Sequence, residues 1–398
     1  MKSSALHVLI ILLAAYFFCS CKSVSFDPEN ALKYTVTQAS KTNTESNDYK
    51  QMPRSISPGD STWNYVPLND WTSGFWPGIL WYEYEYTKNP LWKNRADSFT
   101  RSLKPLAYHT AADHDLGFQL YCSYGNGYRL TGDTSYKKIL LAAADTLATL
   151  FNPVTGTILS WPSMVKSEGW QHNTIIDNMM NLELLFWAAK NGGGKKLYNI
   201  AMKHAVTTMH NHFRPDYSSY HVVVYDTVTG KKIKGVTQQG YKDNSMWARG
   251  QAWAIYGFTM CYRETKNPEF LELALHVAFV YLNQLPDDMI PYWDFSAPGI
   301  PDAPKDASAA AITASALLEL STFVTDRSLA ESYRQKASQM LKVLSSKDYQ
   351  SREVNKAFLL HSTGNEPQGT EIDASLVYAD YYYLEALLRL KKLKAGKM

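Results

Sequence analysis

Apolar residues recur at helical spacing along most of this chain, and the pattern predicts an all-α protein. A polar stretch over about residues 40–60 interrupts the pattern and is expected to be loosely ordered. Strand-like alternation occurs only around residues 220–226, which with Thr229 and Gly230 predict a small β-hairpin insert. Twelve helices are predicted, near residues 30–41, 71–86, 90–104, 115–130, 134–150, 174–190, 194–211, 245–263, 268–284, 307–323, 328–344 and 371–389.

Short connectors of one type separate these helices into pairs, because each connector ends one helix and caps the next. They begin at Thr87, Thr131, Thr265 and Thr325, and Asn191-Gly192-Gly193-Gly194 does the same through glycine. The intervals between connectors are unequal, so the unit is a helix pair with variable insertions rather than a strict repeat.

The two helices of a pair differ in composition. The helix before a connector is rich in aromatic and small residues, as in 74–78 and 249–253, whereas the helix after it carries charge, as in 92–97. The helix before a connector is therefore expected to line the centre of the fold, and the helix after it is expected to face water. Six such pairs closing on themselves predict an (α/α)6 barrel, whose mouth is lined by the loops that enter the inner helices.

The N-terminus has the pattern of an exported protein. Lys2 and the apolar run 6–18 predict a signal peptide over residues 1–20. Small residues before Cys21 resemble a bacterial lipoprotein cleavage box, although Phe18 departs from it and leaves plain signal cleavage open. Residues 21–60 are thus expected to form a lipid-anchored polar stretch with the first helix, which belongs to the catalytic barrel of residues 61–398. The expected location is the periplasm or the outer membrane, with the lipid anchor as the only membrane attachment.

Charge and composition narrow the class of protein. A formal net charge of +3 gives no electrostatic reason to expect nucleic acid binding. Aromatic residues make up 13% of the chain, which suits stacking on sugar rings but equally suits the rims of a large helical core. Cys122 and Cys261 lie in apolar helical stretches and are expected to be packed thiols, with a disulfide as the alternative.

Two aspartates, Asp115 and Asp177, stand alone in apolar or aromatic segments where helices are predicted to begin. Partial desolvation there would raise the pKa of each carboxyl toward the range useful for a general acid. The alternative is that each Asp only caps its helix. Both fall among the loops expected at the barrel mouth.

Aromatic and polar residues between and after these aspartates are typical of a sugar pocket: Trp161, Trp170, Gln239, Trp247, Arg249 and Trp253. No metal or cofactor is expected, because His204, His210 and His212 lack a second ligand cluster at zinc-site spacing. Residues 192–196 lack the spacing of a phosphate-binding loop and are better explained as a helix terminator.

Several segments together carry a family resemblance. They are His114-Asp115-Leu116-Gly117-Phe118, Asp177-Asn178-Met179-Met180-Asn181-Leu182, the segment Trp247–Trp253, and the segments 306–312 and 373–382. In order and rough spacing, over about residues 31–390, they resemble the unsaturated glucuronyl hydrolases of glycoside hydrolase family 88. The resemblance implies an (α/α)6 barrel that removes a 4,5-unsaturated uronic acid from the non-reducing end of lyase-generated oligosaccharides. It also implies that the reaction is hydration of the C4=C5 double bond.

The resemblance also implies roles for single residues. Asp177 matches the acid/base that protonates C4 and activates water, and Asp115 matches the partner carboxylate that favours the cationic transition state. The aromatic pocket walls match Trp161, Trp247 and Trp253, and the polar contacts to the sugar match His221, Gln239 and Arg249. His114 is expected to orient Asp115. Without the resemblance, Arg249 could equally neutralise a buried Asp, and Trp247 could belong to the core.

The substrate is less defined by the sequence. In the family, the loop before the last inner helix helps to discriminate sulfated from unsulfated substrates. Residues 361–369 here carry Ser362 and Glu366 but lack the basic residue that sulfate-selective members use. Unsulfated or differently sulfated glycosaminoglycan disaccharides are therefore expected, although Lys166 could compensate. The alternatives are an unsaturated rhamnogalacturonyl hydrolase acting on pectin fragments and a noncatalytic sugar-binding lipoprotein.

Overall fold

The computed structural model describes residues 26–398, so the predicted signal peptide and Cys21 lie outside the described residues. Most of this part is helical. The helices are α1 (Glu29–Glu45), α2 (Phe75–Thr87), α3 (Pro90–Ser102), α4 (Asn126–Thr131), α5 (Thr134–Ala148), α6 (Met164–Ser167), α7 (Asn178–Ala188), α8 (Lys195–Asn211), α9 (Ala248–Thr265), α10 (Pro268–Asn283), α11 (Ala307–Leu320), α12 (Arg327–Leu344) and α13 (Val377–Lys394). A π-helix, Gly117–Gly125, leads directly into α4, and another, Ala189–Gly193, follows α7.

Six inner helical segments form a closed ring. In ring order they are α2, the π-helix with α4, α7, α9, α11 and α13, and each contacts the next until α13 returns to α2. The outer helices α1, α3, α5, α8, α10 and α12 pack against them. The predicted (α/α)6 barrel and its twelve main helices are confirmed, and the short α6 is an additional helix that the sequence did not predict.

The difference between inner and outer helices is confirmed by burial. Every residue of α11 is buried, whereas its outer partner α12 buries only six residues along one face. An inner helix is surrounded by helices on all sides, so its sequence shows little amphipathic pattern. An outer helix meets water on one side, and its charged residues collect there.

The predicted connectors work through helix caps. Asn89 and Asn267 accept a hydrogen bond from a backbone N–H in the first turn of α3 and α10, and each is followed by proline. Asp133 and Asp326 do the same for α5 and α12. Such side chains satisfy N–H groups that have no partner within the helix, which fixes where the outer helices begin.

Within residues 26–398, eight short strands form three small sheets, which is more β-structure than the sequence predicted. They are β1 (Gln51–Ile56), β2 (Asn64–Pro67), β3 (Phe151–Asn152), β4 (Thr157–Ile158), β5 (His172–Ile175), β6 (Val222–Tyr225), β7 (Lys232–Val236) and β8 (Ser375–Leu376). The sheet orders are β2-β1-β8, β3-β4 and β5-β6-β7. The predicted hairpin is confirmed as β6 and β7, and β5 adds a third strand to it.

Two expectations about the backbone are wrong. The stretch 40–60 is not loosely ordered, because α1 continues to Glu45 and β1 pairs with β2 and with β8 near the end of the chain. The helix predicted from residue 174 begins at Asn178, because residues 172–175 pair with β6 instead. In both cases the deciding hydrogen bonds come from distant parts of the chain.

Cys122 and Cys261 are buried free thiols, as expected from their apolar surroundings. Within residues 26–398, none of the helices has the length and apolar character needed to cross a bilayer.

Candidate active site

The residues singled out in the sequence gather where loops enter the inner helices. Asp115 lies two residues before the π-helix Gly117–Gly125, Asp177 immediately precedes α7, and Trp247 immediately precedes α9. The loop 361–373 precedes β8 and α13 at the same end of the barrel. The barrel therefore brings together side chains that are far apart in the sequence.

Asp177 is buried and does not cap its helix. Its side chain makes no capping hydrogen bond to α7, so the capping alternative is wrong for this residue. Its Oδ2 has no hydrogen-bond partner among the described residues. Burial raises the pKa of Asp177 to about 7, against a smaller lowering effect from the charge of Arg249. A carboxyl group in this range can carry a proton at neutral pH and release it in a reaction.

Asp115 is also buried, and more negative charge surrounds it. Burial is the main reason that its pKa is well above the ordinary value, and the charges of Asp113 and Asp177 raise it further. A hydrogen bond donated by Asn181 Nδ2 to Asp115 Oδ1, 3.4 Å long, has the opposite effect on the pKa. The negative charges of Asp113 and Asp177 thus both favour the protonated form of Asp115.

His221 faces Asp177 as a neutral imidazole. Its Nδ1 accepts hydrogen bonds from the backbone N–H groups of Gln238 and Gln239, at 3.1 Å and 3.2 Å. Since Nδ1 accepts, the ring proton is on Nε2, which lies 3.7 Å from Asp177 Oδ2. Burial holds the pKa of His221 well below its usual range, so the ring stays uncharged.

Aromatic rings surround this imidazole. The ring centroids of Trp247 and Trp161 lie 4.4 Å and 5.6 Å from that of His221. Trp253 is fully buried, and its ring centroid lies 5.3 Å from that of Phe118, next to the Asp115 segment. Trp253 Nε1 makes no hydrogen bond within the described residues. Trp161 is only half-buried, so it is the wall that solvent and a sugar can reach.

Arg249 is buried and held by several acceptors. It donates to Asp306 Oδ2 at 2.8 Å and to the carbonyl oxygens of Thr363 and Gly364 at 2.6 Å and 2.5 Å. Its guanidinium carbon lies 4.5 Å from the centroid of the Trp247 ring. The alternative in which Arg249 neutralises a buried Asp is therefore observed, and the same side chain also fixes the loop 361–369.

Gln239 reaches the same loop, since its Nε2 donates weakly to the carbonyl oxygen of Gly364 at 3.4 Å. His114 lies behind Asp115, with Nε2 at 3.5 Å from Asp115 Oδ1. Burial lowers the pKa of His114 to about 3, so this ring is also neutral. His114 thus lies beside Asp115, but its Nε2 makes no hydrogen bond within the described residues, and its role in orienting Asp115 stays a prediction.

Two residues that the sequence reasoning did not single out belong to this site. Asn181 donates to Asp115, and Asp113 Oδ1 accepts the backbone N–H of Asp115 at 2.9 Å. Asn181 follows Asp177 by four residues, which places both side chains on one face of α7. That spacing was the available signal for Asn181, whereas nothing in the sequence distinguished Asp113.

The other histidines and the remaining pocket candidates lie apart from the two aspartates. His204 and His212 are buried and bonded to backbone groups of Ile158 and Thr174. Among residues 26–398, no three His, Cys, Asp or Glu side chains are grouped as metal ligands. Trp170 packs with the β5–β6–β7 sheet, and Lys166 is exposed on α6.

A separate cavity of about 540 Å³ lies toward the opposite end of the barrel. Its polar lining consists largely of ion pairs, including those of Arg263 with Glu183 and Glu264. Neither Asp115 nor Asp177 lines it. The chemistry expected from the sequence therefore belongs to the mouth and not to this cavity.

Comparisons with known proteins agree with this geometry. A sequence profile of Glycosyl Hydrolase Family 88 matches residues 34–396. An unsaturated glucuronyl hydrolase of Formosa agariphila is 46% identical over 346 residues, which are 86% of this chain and 85% of that protein. An unsaturated chondroitin disaccharide hydrolase of Streptococcus pneumoniae is 35% identical, over 84% of this chain and 85% of that protein. The crystal structure of an unsaturated glucuronyl hydrolase specific for heparin superimposes with a TM-score of 0.88 and 45% identity, covering 92% of this chain and 98% of that chain.

Proposed function

This chain belongs to Glycosyl Hydrolase Family 88, and we propose that it removes a 4,5-unsaturated uronic acid from the non-reducing end of oligosaccharides made by polysaccharide lyases. The observation that carries the proposal is the presence of two buried carboxyl groups with raised pKa values, Asp115 and Asp177, at one mouth of the barrel. Neutral imidazoles and tryptophan rings surround the pair. The raised pKa of Asp177 makes a proton available at neutral pH. The partial exclusion of water strengthens electrostatic interactions with charge that develops in the reaction.

The chemistry is hydration of the C4=C5 double bond. Asp177 gives its proton to C4, and the positive charge that develops at C5 is shared with the ring oxygen. Water then adds its oxygen to C5 and returns a proton to the Asp177 carboxylate, so water is added and the acid is restored. The hemiketal formed at C5 opens to a ketone, and the hemiacetal left at C1 releases the rest of the oligosaccharide.

Asp115 stabilises the intermediate charge. A carboxylate opposite a developing oxocarbenium ion lowers the barrier most effectively when water is excluded, and Asp115 is only 7% exposed. In the empty site, burial and the charges of Asp113 and Asp177 raise the pKa of Asp115. The assignment of the transferred proton to Asp177 rests on the family resemblance and on its unpartnered Oδ2 beside His221.

His221 and Trp253 supply unused donors beside Asp177. Within residues 26–398, neither His221 Nε2 nor Trp253 Nε1 makes a hydrogen bond of good geometry, although Trp253 lies close enough to Asp177 to lower the pKa of its carboxyl. A buried donor without a partner is energetically unfavourable. A ligand that accepts a hydrogen bond from it therefore binds more tightly. We propose that hydroxyl or carboxylate oxygens of the unsaturated uronate accept from these two donors, while Trp247 and Trp161 cover the faces of the sugar.

The substrate class is proposed to be glycosaminoglycan disaccharides. The relatives named above include one chondroitin disaccharide hydrolase and one heparin-specific glucuronyl hydrolase. In this chain, Ser362 of the loop 361–369 is buried, and its Oγ has no partner among the described residues. Glu366 in the same loop disfavours sulfate by its charge, and we infer a preference for unsulfated or differently sulfated disaccharides.

We propose further that the protein is exported and attached to a membrane through lipid on Cys21. The support is the sequence alone: Lys2, the apolar run 6–18 and the small residues before Cys21. Lipid attachment would hold the enzyme in the periplasm or at the outer membrane.

The function is tested with unsaturated disaccharides released by lyases from chondroitin, hyaluronan, heparin and pectin. Turnover destroys the conjugated double bond, so loss of its ultraviolet absorbance measures the rate. We expect turnover of one or more glycosaminoglycan disaccharides. Turnover confined to the pectin fragments would instead indicate a rhamnogalacturonyl hydrolase, and binding without turnover a noncatalytic sugar-binding protein.

A further inference from the structure

We propose that Asn181 is the positioning residue of this site: its amide joins the Asp115 segment to α7 and holds the Asp115 carboxylate against Asp177. This inference rests on the proposed function for its catalytic consequence. Its structural part can be tested without turnover.

The orientation of the Asn181 amide is fixed by the backbone. The N–H of Phe118 lies 2.9 Å from Asn181 Oδ1, and an N–H donor requires an oxygen there. Asn181 Nδ2 must therefore face the opposite way, toward Asp115 Oδ1 and His114 Nδ1, each at 3.4 Å. One fully buried amide thus contacts the backbone after Asp115, the Asp115 carboxyl and the histidine behind it.

The tautomer of His114 follows from this orientation. Because Asn181 Nδ2 is a donor, His114 Nδ1 accepts, and the proton of the neutral ring is on Nε2. That Nε2 lies 3.5 Å from Asp115 Oδ1. That Nε2 makes no hydrogen bond within the described residues, so the direct donor to this carboxylate oxygen is Asn181.

The close approach of the two helices depends on Gly117. A Cβ at this position would lie 2.5 Å from the Cα of Asn181 and 2.6 Å from its Oδ1, which is too close for any side chain. The glycine therefore allows the π-helix to lie directly against α7 at Asn181. Since Asp177 is one helical turn before Asn181, this contact sets the separation of the two aspartates.

Asn181 also opposes the charges around Asp115. Asp113, Asp177 and Asp70 all raise the pKa of Asp115, and the hydrogen bond from Asn181 lowers it. His114 is neutral, and Asp70 is itself paired with Arg54 at 2.6 Å. Against these charges, the hydrogen bond from Asn181 favours the anionic form of Asp115.

The sharpest variant is Asn181→Asp, which keeps an acceptor for the Phe118 N–H but replaces the donor to Asp115 with a negative charge. Asn181→Ser is a second variant, for use if the first does not fold. Asn126→Asp is the matched control, because Asn126 is also a buried helical amide, with Nδ2 donating to Cys122 and Tyr381 away from the mouth.

The first measurement follows the carboxyl ¹³C resonance of Asp115 during a pH titration of the substrate-free protein. We expect the midpoint to rise by at least about one pH unit, equivalent to a tenfold change in proton affinity, in Asn181→Asp, by less in Asn181→Ser, and not at all in Asn126→Asp. An unchanged midpoint in both Asn181 variants would overturn the proposal.

The second measurement is the pH profile of turnover. With Asn181 changed, kcat should fall by about 100-fold with a much smaller change in KM, because misplacement of Asp115 affects the transition state most. The acidic limb of kcat/KM should move to higher pH, which a merely destabilised fold would not cause. If the wild-type protein turned over no unsaturated disaccharide, the proposed function would fail while the titration still decided the role of Asn181.

Discussion

The Nε2 atom of His221 lies 3.7 Å from Oδ2 of Asp177, and within residues 26–398 neither atom has a hydrogen-bond partner. The separation is too long for a hydrogen bond and too short for a separate water molecule directly between the two atoms. Burial of two polar atoms without hydrogen-bond partners lowers the stability of a folded protein. They are best explained as groups whose partner is the substrate, which makes Asp177 the first residue to test.

Replacement of Asp177 with Asn should remove nearly all turnover and leave substrate binding in place. The amide keeps the shape of the carboxyl but cannot deliver a proton to C4. Loss of a general acid costs about a hundred- to ten-thousand-fold in rate, measured here as loss of ultraviolet absorbance. Calorimetry with the same disaccharide should give a similar Kd for both proteins. More than about a tenth of wild-type turnover in the variant would contradict the role of Asp177.

The activity should also fall on the alkaline side of neutrality. Asp177 must be protonated to act, and burial places its pKa at about 7, so the active form is lost as the pH rises through that value. We expect kcat/KM to decrease tenfold per pH unit well above pH 7. A profile that stays flat to pH 9 would show that Asp177 is not the acid in the free enzyme.

Most of the helical fold could be predicted from the sequence because its signals are local. Caps such as Asn89 and Asp326 mark where helices begin, and the composition of each segment indicates whether it is inner or outer. The strand pairing of Ser55 with Leu376 joins residues more than 300 positions apart, so no short pattern could reveal it.

Only part of the candidate site could be predicted from the sequence. Asp115 and Asp177 could be found because an isolated carboxyl in an apolar segment is unusual. The contacts of Arg249 with Asp306 and Thr363 could not be found, because they depend on how the loop before α13 folds back. Asn181 was visible at helical spacing from Asp177, but its importance depends on contacts with the Asp115 segment.

Glu83 should make the protein less stable as the pH rises. This carboxyl of α2 is fully buried, and neither of its oxygens makes a hydrogen bond of good geometry with the described residues. Burial raises its pKa from 4.5 to about 8, although the nearby Thr35 side chain lowers it slightly, so folding favours the protonated form. The stabilisation from protonated Glu83 is fully present below pH 4.5 and is lost as the pH rises toward 8. Over that range the free energy of unfolding falls by about 1.4 kcal/mol for each pH unit.

Glu83→Gln should therefore raise the melting temperature at pH 8 and have little effect at pH 4.5. The matched control is Glu272→Gln on α10, whose side chain is 74% exposed and which should show no such pH dependence. Equal melting temperatures of Glu83→Gln and wild type at pH 8 would argue against an unpaired carboxyl at this position.

Cys21→Ala should release the protein from the membrane fraction or block its processing. A single acyl chain binds a membrane only weakly, but the several chains of a bacterial lipoprotein hold firmly. Fractionation of cells followed by mass spectrometry of the mature N-terminus measures both effects. An unmodified N-terminus in the wild-type protein would end the lipid-anchor proposal and leave the catalytic proposals unaffected.

The position of isotopic labels should separate hydration from ordinary glycoside hydrolysis. If Asp177 protonates C4 and water attacks C5, reaction in deuterated water places deuterium at C4, and reaction in ¹⁸O-water places the label at C5. A conventional glycosidase with two carboxyl groups instead protonates the glycosidic oxygen and brings water to C1. The matched control substrate is the saturated glucuronide, which has the same shape near Trp247 but no double bond to protonate, so it should not be cleaved. Efficient cleavage of that glucuronide, or ¹⁸O at C1, would refute the hydration mechanism while leaving the barrel and its paired aspartates as described.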